Sequence, residues 1–484
     1  MPELTILHLL PALECAAGSY VVGLAAALRA RGHRCVIVSG GSKPPEQAGA
    51  AGARHLHLRM RGLHAPAAVR RLAWIIDREQ VDLLHAHSRT VGAVGSLAAR
   101  LAQIPHLLTV HGLHSPAPGG LERAAAEVER IYRELLAGAP PRRIAVFHLN
   151  QVGDLMFSLP ALAALRARFP AAEIVSILRP HLRELLQDSP YVDRLILRRG
   201  GLAAEARLAR GLRGAGFDLV VALSQSASSV LQALACGAPR RVGFVDADLS
   251  FLFTRKVHVR GVVWPGKLAR LPVCLGADAP PLSYVGMLAI AEALRARARG
   301  LLEKRGVASG QEMVAIAPGA SGRRRHKAWE AGRFAAVGDH LHRRWGAAVV
   351  IVGGAGDAAE AGRIAAAMSA PAVNLAGHTT TGELVAVLER ARLLVGIDAG
   401  PMHVAAAMGT PTVALFGPTD PRRTGPCGDG HEIVTAGLDC APCLRGCETR
   451  ACMTGITVRH VTQAADRVMR GAVPSAGDSV DGAG

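Results

Sequence analysis

The feature that most constrains the fold of this sequence is a repeated alternation of short apolar strands with helix-patterned segments. In the first repeat, residues 4–10 form an apolar strand-like run, and residues 21–31 place apolar side chains at helical spacing before Gly32. Such alternation predicts a parallel, doubly wound α/β sheet with helices on both faces. Ligands of these sheets bind in the crevice beyond the carboxyl ends of the strands. Functional residues are therefore expected at strand ends.

The alternation restarts twice and so divides the chain. A helical stretch over residues 121–136 runs into Pro140-Pro141, and a new strand begins at residue 144; a second restart follows at residue 313, after a segment with helical character over 284–305. At 484 residues the chain exceeds the roughly 250–300 residues that one core supports. We predict three Rossmann-like domains, 1–138, 141–305 and 306–470, and a disordered tail, 471–484. The second and third domains form a natural pair facing each other across a cleft, and the first lacks a partner.

The charge balance favours anionic partners. The chain has 56 Lys and Arg residues against 38 Asp and Glu, a formal net charge of +18. A field of this sign attracts phosphorylated glycans, acidic lipid headgroups or nucleic acid. Aromatic residues are only 4% of the chain, which argues against stacking platforms for single-stranded nucleic acid. No nucleic-acid partner is expected.

The sequence has no pattern of a secreted or membrane-spanning protein. Glu3, His8 and Pro11 interrupt the first apolar stretch, which also has no basic leader. No apolar run reaches the ~18 residues needed to span a bilayer. These observations predict a cytoplasmic protein.

The sharpest chemical motif follows a strand of the third domain. An apolar run delivers Asp398 to its carboxyl end, Gly400 allows a tight turn, and Pro401 suits the first turn of the next helix. The exposed N–H groups of that turn are a ready anion site, with Met402 and His403 inside it. A helix-capping Asp398 without a ligand is the alternative interpretation.

Two further segments place charged residues at strand ends. Gly319 and Ser321 follow the first strand of the third domain, and Lys327 comes shortly after them; this pattern suits a diphosphate, or else a solvated basic loop. Asp154 opens the first helix of the second domain. It is either a helix cap or a general base facing the opposite domain.

Taken together, these segments resemble glycosyltransferase family 9, the lipopolysaccharide heptosyltransferases, over residues 141–470. The matching residues are Gly153-Asp154, Pro160-Ala161-Leu162, Pro318-Gly319-Ala320-Ser321, Lys327, Trp329, Gly353-Gly354, Asp357, Asp398, Gly400-Pro401-Met402-His403, Gly409-Thr410-Pro411-Thr412 and Phe416-Gly417-Pro418-Thr419. The resemblance implies a GT-B fold, with the acceptor bound mainly by the second domain and a nucleotide-sugar by the third. It also implies an inverting reaction that requires no metal or other cofactor.

The resemblance assigns roles to individual residues. Asp154 matches the general base and Lys327 the phosphate-binding lysine, while Asp357 matches an acidic residue for the nucleoside ribose. Ala399 stands where many family members have Thr, which leaves the donor sugar open. The residues matching the donor site are Gly319, Ser321, Asp357, Asp398, Gly400, Met402 and His403.

The expected reaction moves heptose from ADP-heptose onto an anionic glycolipid of the lipopolysaccharide-core type. The enzyme would then be cytoplasmic, with a peripheral position at the inner membrane surface. The alternatives are transfer of another sugar to O-antigen, capsule or protein, and a non-enzymatic sugar- or nucleotide-binding derivative.

A competing motif, Asp246-Ala247-Asp248, spells the metal-binding triplet of GT-A enzymes, but such triplets arise easily by chance.

The first domain has a resemblance of its own. Its pattern is similar to the acceptor half of family 4 glycosyltransferases, and the donor half of that family is absent. The matching residues are Gly18, Leu24-Ala25, Leu28, Arg31-Gly32-His33, Asp82 to Ser88 and Thr109-Val110-His111-Gly112. We interpret this domain as a non-catalytic docking or acceptor-binding module, or as the remnant of a gene fusion. Its histidines His85, His87, His111 and His114 match family residues around a sugar-binding cleft, and no metal is expected there.

Four cysteines lie close together near the end of the chain: Cys440, Cys443, Cys447 and Cys452. The spacing is compact enough for a structural zinc ion, and less so for an iron–sulfur centre. Reduced thiols without a ligand are the alternative. A metal here would be structural and away from the reaction.

Overall fold

The computed structural model describes residues 4–13, 16–40, 52–60, 65–102, 104–109, 120–137, 140–259, 266–319, 326–443, 447 and 449–471. Three separate sheets, each entirely parallel, organise these residues. The predicted α/β class is therefore confirmed. Within the described residues, every helix is too short or too polar to span a bilayer.

The first sheet has five strands in the order β3-β2-β1-β4-β5. Its strands are β1 Thr5–Leu10, β2 Arg34–Ser39, β3 Arg54–His57, β4 Leu83–Ala86 and β5 His106–Leu108. The helices are α1 Ala16–Ala30, α2 Ala65–Glu79, α3 Arg89–Ala102 and α4 Gly120–Ala137. Because both faces of this sheet are covered, β1 and β2 are almost continuously apolar and buried.

The second sheet has six strands in the order β11-β10-β9-β6-β7-β8. Its strands are β6 Arg143–Phe147, β7 Glu173–Leu178, β8 Arg194–Leu197, β9 Leu219–Ala222, β10 Arg240–Phe244 and β11 Arg255–Val257. The helices are α5 Val152–Arg168, α6 Arg183–Leu186, α7 Leu202–Arg213, α8 Ala227–Ala235 and α9 Gly266–Cys274, with 3₁₀ turns at Pro180–Leu182 and Ser250–Leu252.

The third sheet also has six strands, in the order β14-β13-β12-β15-β16-β17. Its strands are β12 Met313–Ala317, β13 Ala348–Ile351, β14 Ala372–Asn374, β15 Leu393–Ile397, β16 Thr412–Leu415 and β17 Glu432–Val434. The remaining helices are α10 Glu292–Lys304, α11 Ala331–Trp345, α12 Ala358–Ala367, α13 Thr381–Arg390, α14 Gly400–Ala407, α15 Pro421–Thr424, α16 Ala451–Thr454 and α17 Val458–Met469, with a 3₁₀ turn at Ala355–Asp357.

The second and third sheets belong to two lobes that pack on each other. One apolar cluster contains residues of both, including Leu159 of α5 and Val404 of α14, neither of which is exposed. Helices α5 and α14 pack directly against each other. The carboxyl ends of the two sheets therefore meet at one boundary, which is where the ligand crevice of a two-lobed fold lies.

The connection between these lobes differs from the sequence prediction. A helix was predicted over residues 284–305, but α10 begins at Glu292. Gly286 has a φ of +72°, which interrupts a helix, and its N–H donates to the carbonyl of Ala407 at 2.8 Å. Residues 284–291 therefore cross between the lobes as an irregular segment that contacts the end of α14.

The first sheet lies against the second lobe through its amino edge. A cavity of about 190 Å³ at this junction is lined by the residues that begin β1 and β4 and by β11 and α9 of the second lobe. His258 Nε2, just after β11, lies 3.6 Å from a carboxylate oxygen of Asp77 at the end of α2. Because the strands are parallel, the carboxyl edge of the first sheet lies at the opposite end, away from this junction.

Candidate active site

Two helix N-termini, one from each lobe, converge at the boundary between the second and third sheets. A Cβ built on Gly400 would lie 3.2 Å from Cβ of Val152, the first residue of α5. A Cβ built on Gly153 would lie only 2.7 Å from Cδ2 of His403. The approach at Gly400 is tighter than an ordinary carbon contact, and the one at Gly153 leaves no room for a side chain, so glycine at both positions allows the lobes to approach closely. The positive ends of two helix dipoles at one place favour an anionic ligand.

Asp154 brings a carboxylate to this boundary. It is partly buried in the first turn of α5, directly after Gly153, the residue that touches His403. The structure thus places Asp154 next to a residue that approaches His403, and its role as general base stays a prediction.

Lys327 and Asp398 form a largely buried ion pair. Lys327 Nζ lies 2.6 Å from Asp398 Oδ2 and donates to the Asp398 carbonyl at 3.3 Å. The side chains are 17% and 7% exposed, so each charge depends on the other. Thr424 Oγ1 also donates to the same carboxylate oxygen, at 3.4 Å. Residues that are 71 positions apart in sequence therefore meet at the end of β15.

His403 is fixed by three contacts. The hydroxyl of Tyr284 lies 2.9 Å from Nδ1, Phe157 packs edge-on at 4.6 Å between ring centroids, and Asp398 Oδ1 lies 4.0 Å from Nε2. Burial raises the pKa of Tyr284, so its hydroxyl stays protonated. No local sequence motif marks Tyr284 or Phe157, because these residues lie 119 and 246 positions away from the histidine that they contact.

The other predicted donor-site residues lie around this pair. Gly319 has a φ of +49° and approaches Ala399 so closely that an added Cβ would lie 2.9 Å from the Ala399 Cβ. Met402 is fully buried in the interlobe core, so only its backbone can face a ligand. Ser321 lies outside the described residues.

Asp357 lies farther along the third sheet, after β13. Its Oδ2 accepts from the Gly354 N–H at 2.9 Å, which fixes the turn at the helix start. The other oxygen is buried and makes no hydrogen bond among the described residues. The side chain therefore fixes this turn, and its second oxygen is enclosed by the protein.

The Asp-x-Asp triplet has a structural role in the second lobe. Asp246 Oδ2 pairs with Lys267 Nζ at 2.8 Å, and Gln225 donates to Oδ1 at 2.6 Å. Asp248 Oδ2 accepts from the N–H of Ala227 at 3.2 Å, at the start of α8. Both carboxylates thus hold the loop that follows β10.

The four cysteines near the end of the chain are close enough to influence one another's pKa, but no three of their sulfur atoms lie within 4.8 Å of one another among the described residues. Burial, and after it the neighbouring thiols, raises the pKa of Cys452, and a hydrogen bond from Thr449 lowers that of Cys447. Cys440 and Cys447 are exposed. Within the described residues, three possible ligand atoms come within 4.8 Å of one another at His8, His85 and His87 and not at these thiols. The structural zinc stays a prediction.

Those three histidines lie in the first sheet and were only partly anticipated. His8 on β1 is the register partner of His85 on β4, and His87 follows β4 directly. All three are buried, and burial lowers the pKa of His8 to about 3, so its imidazole is neutral. The sequence analysis selected His85 and His87 but not His8; His111 and His114 lie outside the described residues.

Two facing lobes, each a parallel sheet whose carboxyl edge meets the other's, define a fold of the GT-B type. The crystal structure of a family 9 glycosyltransferase from Veillonella parvula superposes with a TM-score of 0.61 at 24% identity, covering 68% of this chain and 98% of that one. The ADP-heptose lipopolysaccharide heptosyltransferase II of Escherichia coli superposes with a TM-score of 0.58 at 25% identity, covering 68% and 99%.

Sequence comparisons agree with the fold. The family model described as glycosyltransferase family 9 (heptosyltransferase) matches residues 205–453. Lipopolysaccharide heptosyltransferase 3 of Escherichia coli is 30% identical over 281 residues, 55% of this chain and 81% of that protein. Lipopolysaccharide heptosyltransferase 2 of strain K12 is 29% identical over 311 residues, 60% and 87%. The chain belongs to glycosyltransferase family 9 and is a glycosyltransferase.

The amino-terminal part matches a second family. The model of glycosyltransferase family 4 matches residues 17–148, as the sequence analysis predicted. Asp154 lies outside both matched stretches, so its role depends on the geometry described above.

Proposed function

We propose that this enzyme transfers heptose from ADP-heptose onto a lipopolysaccharide-core-type glycolipid by an inverting reaction that uses no metal. The observation that carries the proposal is the convergence of two helix N-termini, with Asp154 on one and His403 on the other, beside the Lys327–Asp398 pair. Its relatives named lipopolysaccharide heptosyltransferases support the choice of donor and acceptor. In this proposal residues 141–305 bind mainly the acceptor and residues 306–470 the donor.

The reaction is one displacement at the anomeric carbon. Asp154 takes the proton from the acceptor hydroxyl, and that oxygen attacks the anomeric carbon on the face opposite the diphosphate. The bond to the nucleoside diphosphate breaks, and both bonding electrons leave with it. Inversion follows because attack and departure occur on opposite faces.

The charge that develops on the leaving diphosphate has two stabilising groups. The first turn of α14 begins at the lobe boundary beside Val152, and Lys327 lies next to this turn through its bond to the carbonyl of Asp398. Fixed dipoles and a cation in a site of low exposure stabilise a transition state more strongly than water does. This arrangement takes the place of a metal ion in the proposed mechanism.

The remaining donor-site residues orient the substrate. Asp398 holds Lys327 and lies 4.0 Å from His403, so the three side chains lie together at the proposed donor site. Gly319 offers a close backbone approach to the diphosphate, and Ser321 and Asp357 keep the donor roles that the family resemblance assigns to them.

The acceptor is an anionic lipid-linked glycan. The formal net charge of +18 favours a phosphorylated acceptor and an acidic bilayer, and we place the enzyme at the cytoplasmic face of the inner membrane. Ala399 offers no side-chain hydrogen-bond donor, which leaves transfer of another sugar as the second possibility.

The test is donor turnover by the full chain. The protein is incubated with ADP-heptose, and in parallel with other nucleotide sugars, and a phosphorylated lipopolysaccharide-core acceptor, with and without a chelator. We expect release of ADP from ADP-heptose and a heptosylated product with inverted anomeric configuration, unaffected by the chelator. Turnover of a different nucleotide sugar in place of ADP-heptose would contradict the proposed donor. Binding of donors without turnover of any of them would contradict the proposed reaction.

A further inference from the structure

The buried histidines of the first sheet occupy the position where parallel α/β sheets bind ligands. The strand order β3-β2-β1-β4-β5 reverses between β1 and β4, and helices leave in opposite directions from that point. The crevice of such a sheet lies at this reversal, beyond the carboxyl ends of the strands. His8 lies on β1, His85 lies on β4, and His87 directly follows β4.

The three imidazoles are mutually close. His8 Nδ1 and His87 Nε2 are 3.0 Å apart, and the His85 and His87 ring centroids are 3.9 Å apart. One ring nitrogen from each of the three can be chosen so that all lie within 4.8 Å of one another. In a tetrahedral zinc site with bonds of 2.0–2.1 Å, the ligand nitrogens are about 3.3 Å apart. Displacements of the ring nitrogens by about 1 Å would therefore bring the three imidazoles to zinc-binding distances.

Their neighbours suit a ligand role. His8 Nε2 is fully buried and has no hydrogen-bond partner among the described residues. Tyr132, also fully buried, places its hydroxyl 2.5 Å from His85 Nδ1. Metal-bound histidines are commonly fixed in this way by a partner on the other ring nitrogen. Thr109 Oγ1 lies 2.6 Å from His85 Nε2 and adds an oxygen beside the cluster.

Against the sequence expectation of no metal at His85 and His87, we propose that these two residues and His8 form a binding site for a divalent transition-metal ion of the Zn²⁺ type. Neutral imidazoles are preferred ligands of these ions, and three of them leave a fourth position for an oxygen ligand. Because all three protein ligands are neutral and buried, an anionic oxygen ligand, such as hydroxide or a carboxylate, is favoured at the fourth position. The site belongs to the first sheet, whose amino edge and not this edge faces the second lobe, and it takes no part in the sugar transfer.

The experiment measures cobalt binding by the full chain, purified without a polyhistidine tag and stripped with a chelator. Cys440→Ser/Cys443→Ser is the background, because thiolates would otherwise bind the same ion. We expect Co²⁺ to give visible d–d absorption without the near-ultraviolet charge-transfer band of thiolates, saturating at about one equivalent. His8→Gln is expected to lower the affinity at least about 100-fold and Tyr132→Phe about 10-fold.

The matched control is His106→Gln, a histidine of the same sheet on β5 that lies outside the cluster. It should bind Co²⁺ like the background. Equal binding by the background and His8→Gln, or no visible band in the background, would overturn the proposal. If His8→Gln does not fold, the melting temperature of the background decides instead: Zn²⁺ must raise it, with a smaller increase in Tyr132→Phe.

Discussion

The first sheet and the pair formed by the second and third sheets use the same parallel α/β architecture to different ends. In the pair, two carboxyl edges meet, and glycines at positions 153 and 400 let the helix ends touch. The first sheet instead contacts the second lobe through its amino edge, near Asp77 and His258. Among the described residues, the second and third sheets are the ones whose carboxyl edges face another lobe, and the proposed transfer site lies between them.

The chemistry of the two edges differs as well. The lobe of the third sheet buries an ion pair between Lys327 and Asp398. The pair holds a cation at the boundary where, in the proposed reaction, a negative charge develops. The first sheet buries the neutral ring of His8 beside two other imidazoles, an arrangement that supplies lone pairs and not charge. The following variants test this contrast.

The largest effect is expected from the base. Asp154→Asn should lower kcat about 10³-fold, because the amide cannot accept the acceptor proton, while the affinity for ADP stays near wild type. Steady-state kinetics and ADP titration measure the two. Asp246→Asn, which alters a carboxylate of the second lobe that pairs with Lys267, is the control and should keep its turnover. Wild-type turnover in Asp154→Asn would remove this residue from the mechanism.

Next in size is the buried cation. Lys327→Ala should weaken nucleotide-sugar binding and lower kcat about 10²-fold, since the diphosphate loses its counter-charge. It should also lower the free energy of unfolding by about 3 kcal/mol, because Asp398 stays buried without its partner. Denaturant unfolding of Lys327→Ala/Asp398→Asn should recover part of that loss. An unchanged stability in the single variant would contradict the ion pair.

The close approach of Gly153 to His403 predicts that one added methyl group at position 153 also lowers the catalytic efficiency. Gly153→Ala should lower kcat/KM about 10²-fold, because its Cβ would meet His403 at 2.7 Å and hold the lobes apart. Gly211→Ala on α7 meets no atom within 4 Å and should leave kcat/KM unchanged while slightly stabilising its helix. Equal kinetics for the two variants would show that the lobes need no such contact.

A pH dependence of stability is expected in the second lobe. Burial lowers the pKa of His148 to about 3, from an ordinary value of 6.5. At pH 5 the unfolded imidazole binds a proton that the folded one cannot, so stability falls as the pH drops below 6.5. The loss from pH 7.5 to pH 5 should be about 2 kcal/mol for this residue. The free energy of unfolding of His148→Asn, measured in urea, should change less with pH than that of the wild type. The same pH dependence in both proteins would assign the loss of stability to other titratable groups.

The smallest effect is expected at the crossing segment between the lobes. Tyr284→Phe keeps the ring but removes the hydroxyl from His403 Nδ1, and kcat should fall about 10-fold. A nitrogen chemical-shift change at His403 would separate a lost positioning contact from general damage. Tyr191→Phe, at a partly buried tyrosine of the second lobe, is the control. A wild-type rate and an unchanged His403 signal would mean that this hydrogen bond does not position the ring.

The local pattern of the sequence determined the strands and helices, and with them the position of Asp398 at a strand end and of Asp154 in a first helical turn. Local periodicity is sufficient for this because it depends on residues two to four positions apart. It also gave the three-part order and the family resemblance, since those motifs are contiguous stretches of chain.

Only the tertiary structure decided which distant groups meet. Tyr284 reaches His403 over 119 positions, His8 reaches His87 over 79, and the predicted helix over 284–305 gave way to an irregular crossing. It also decided that the first sheet turns its amino edge toward the second lobe. Such contacts depend on how whole lobes pack. That packing is determined by the free energies of many buried surfaces together, and a short stretch of sequence contributes only a few of them.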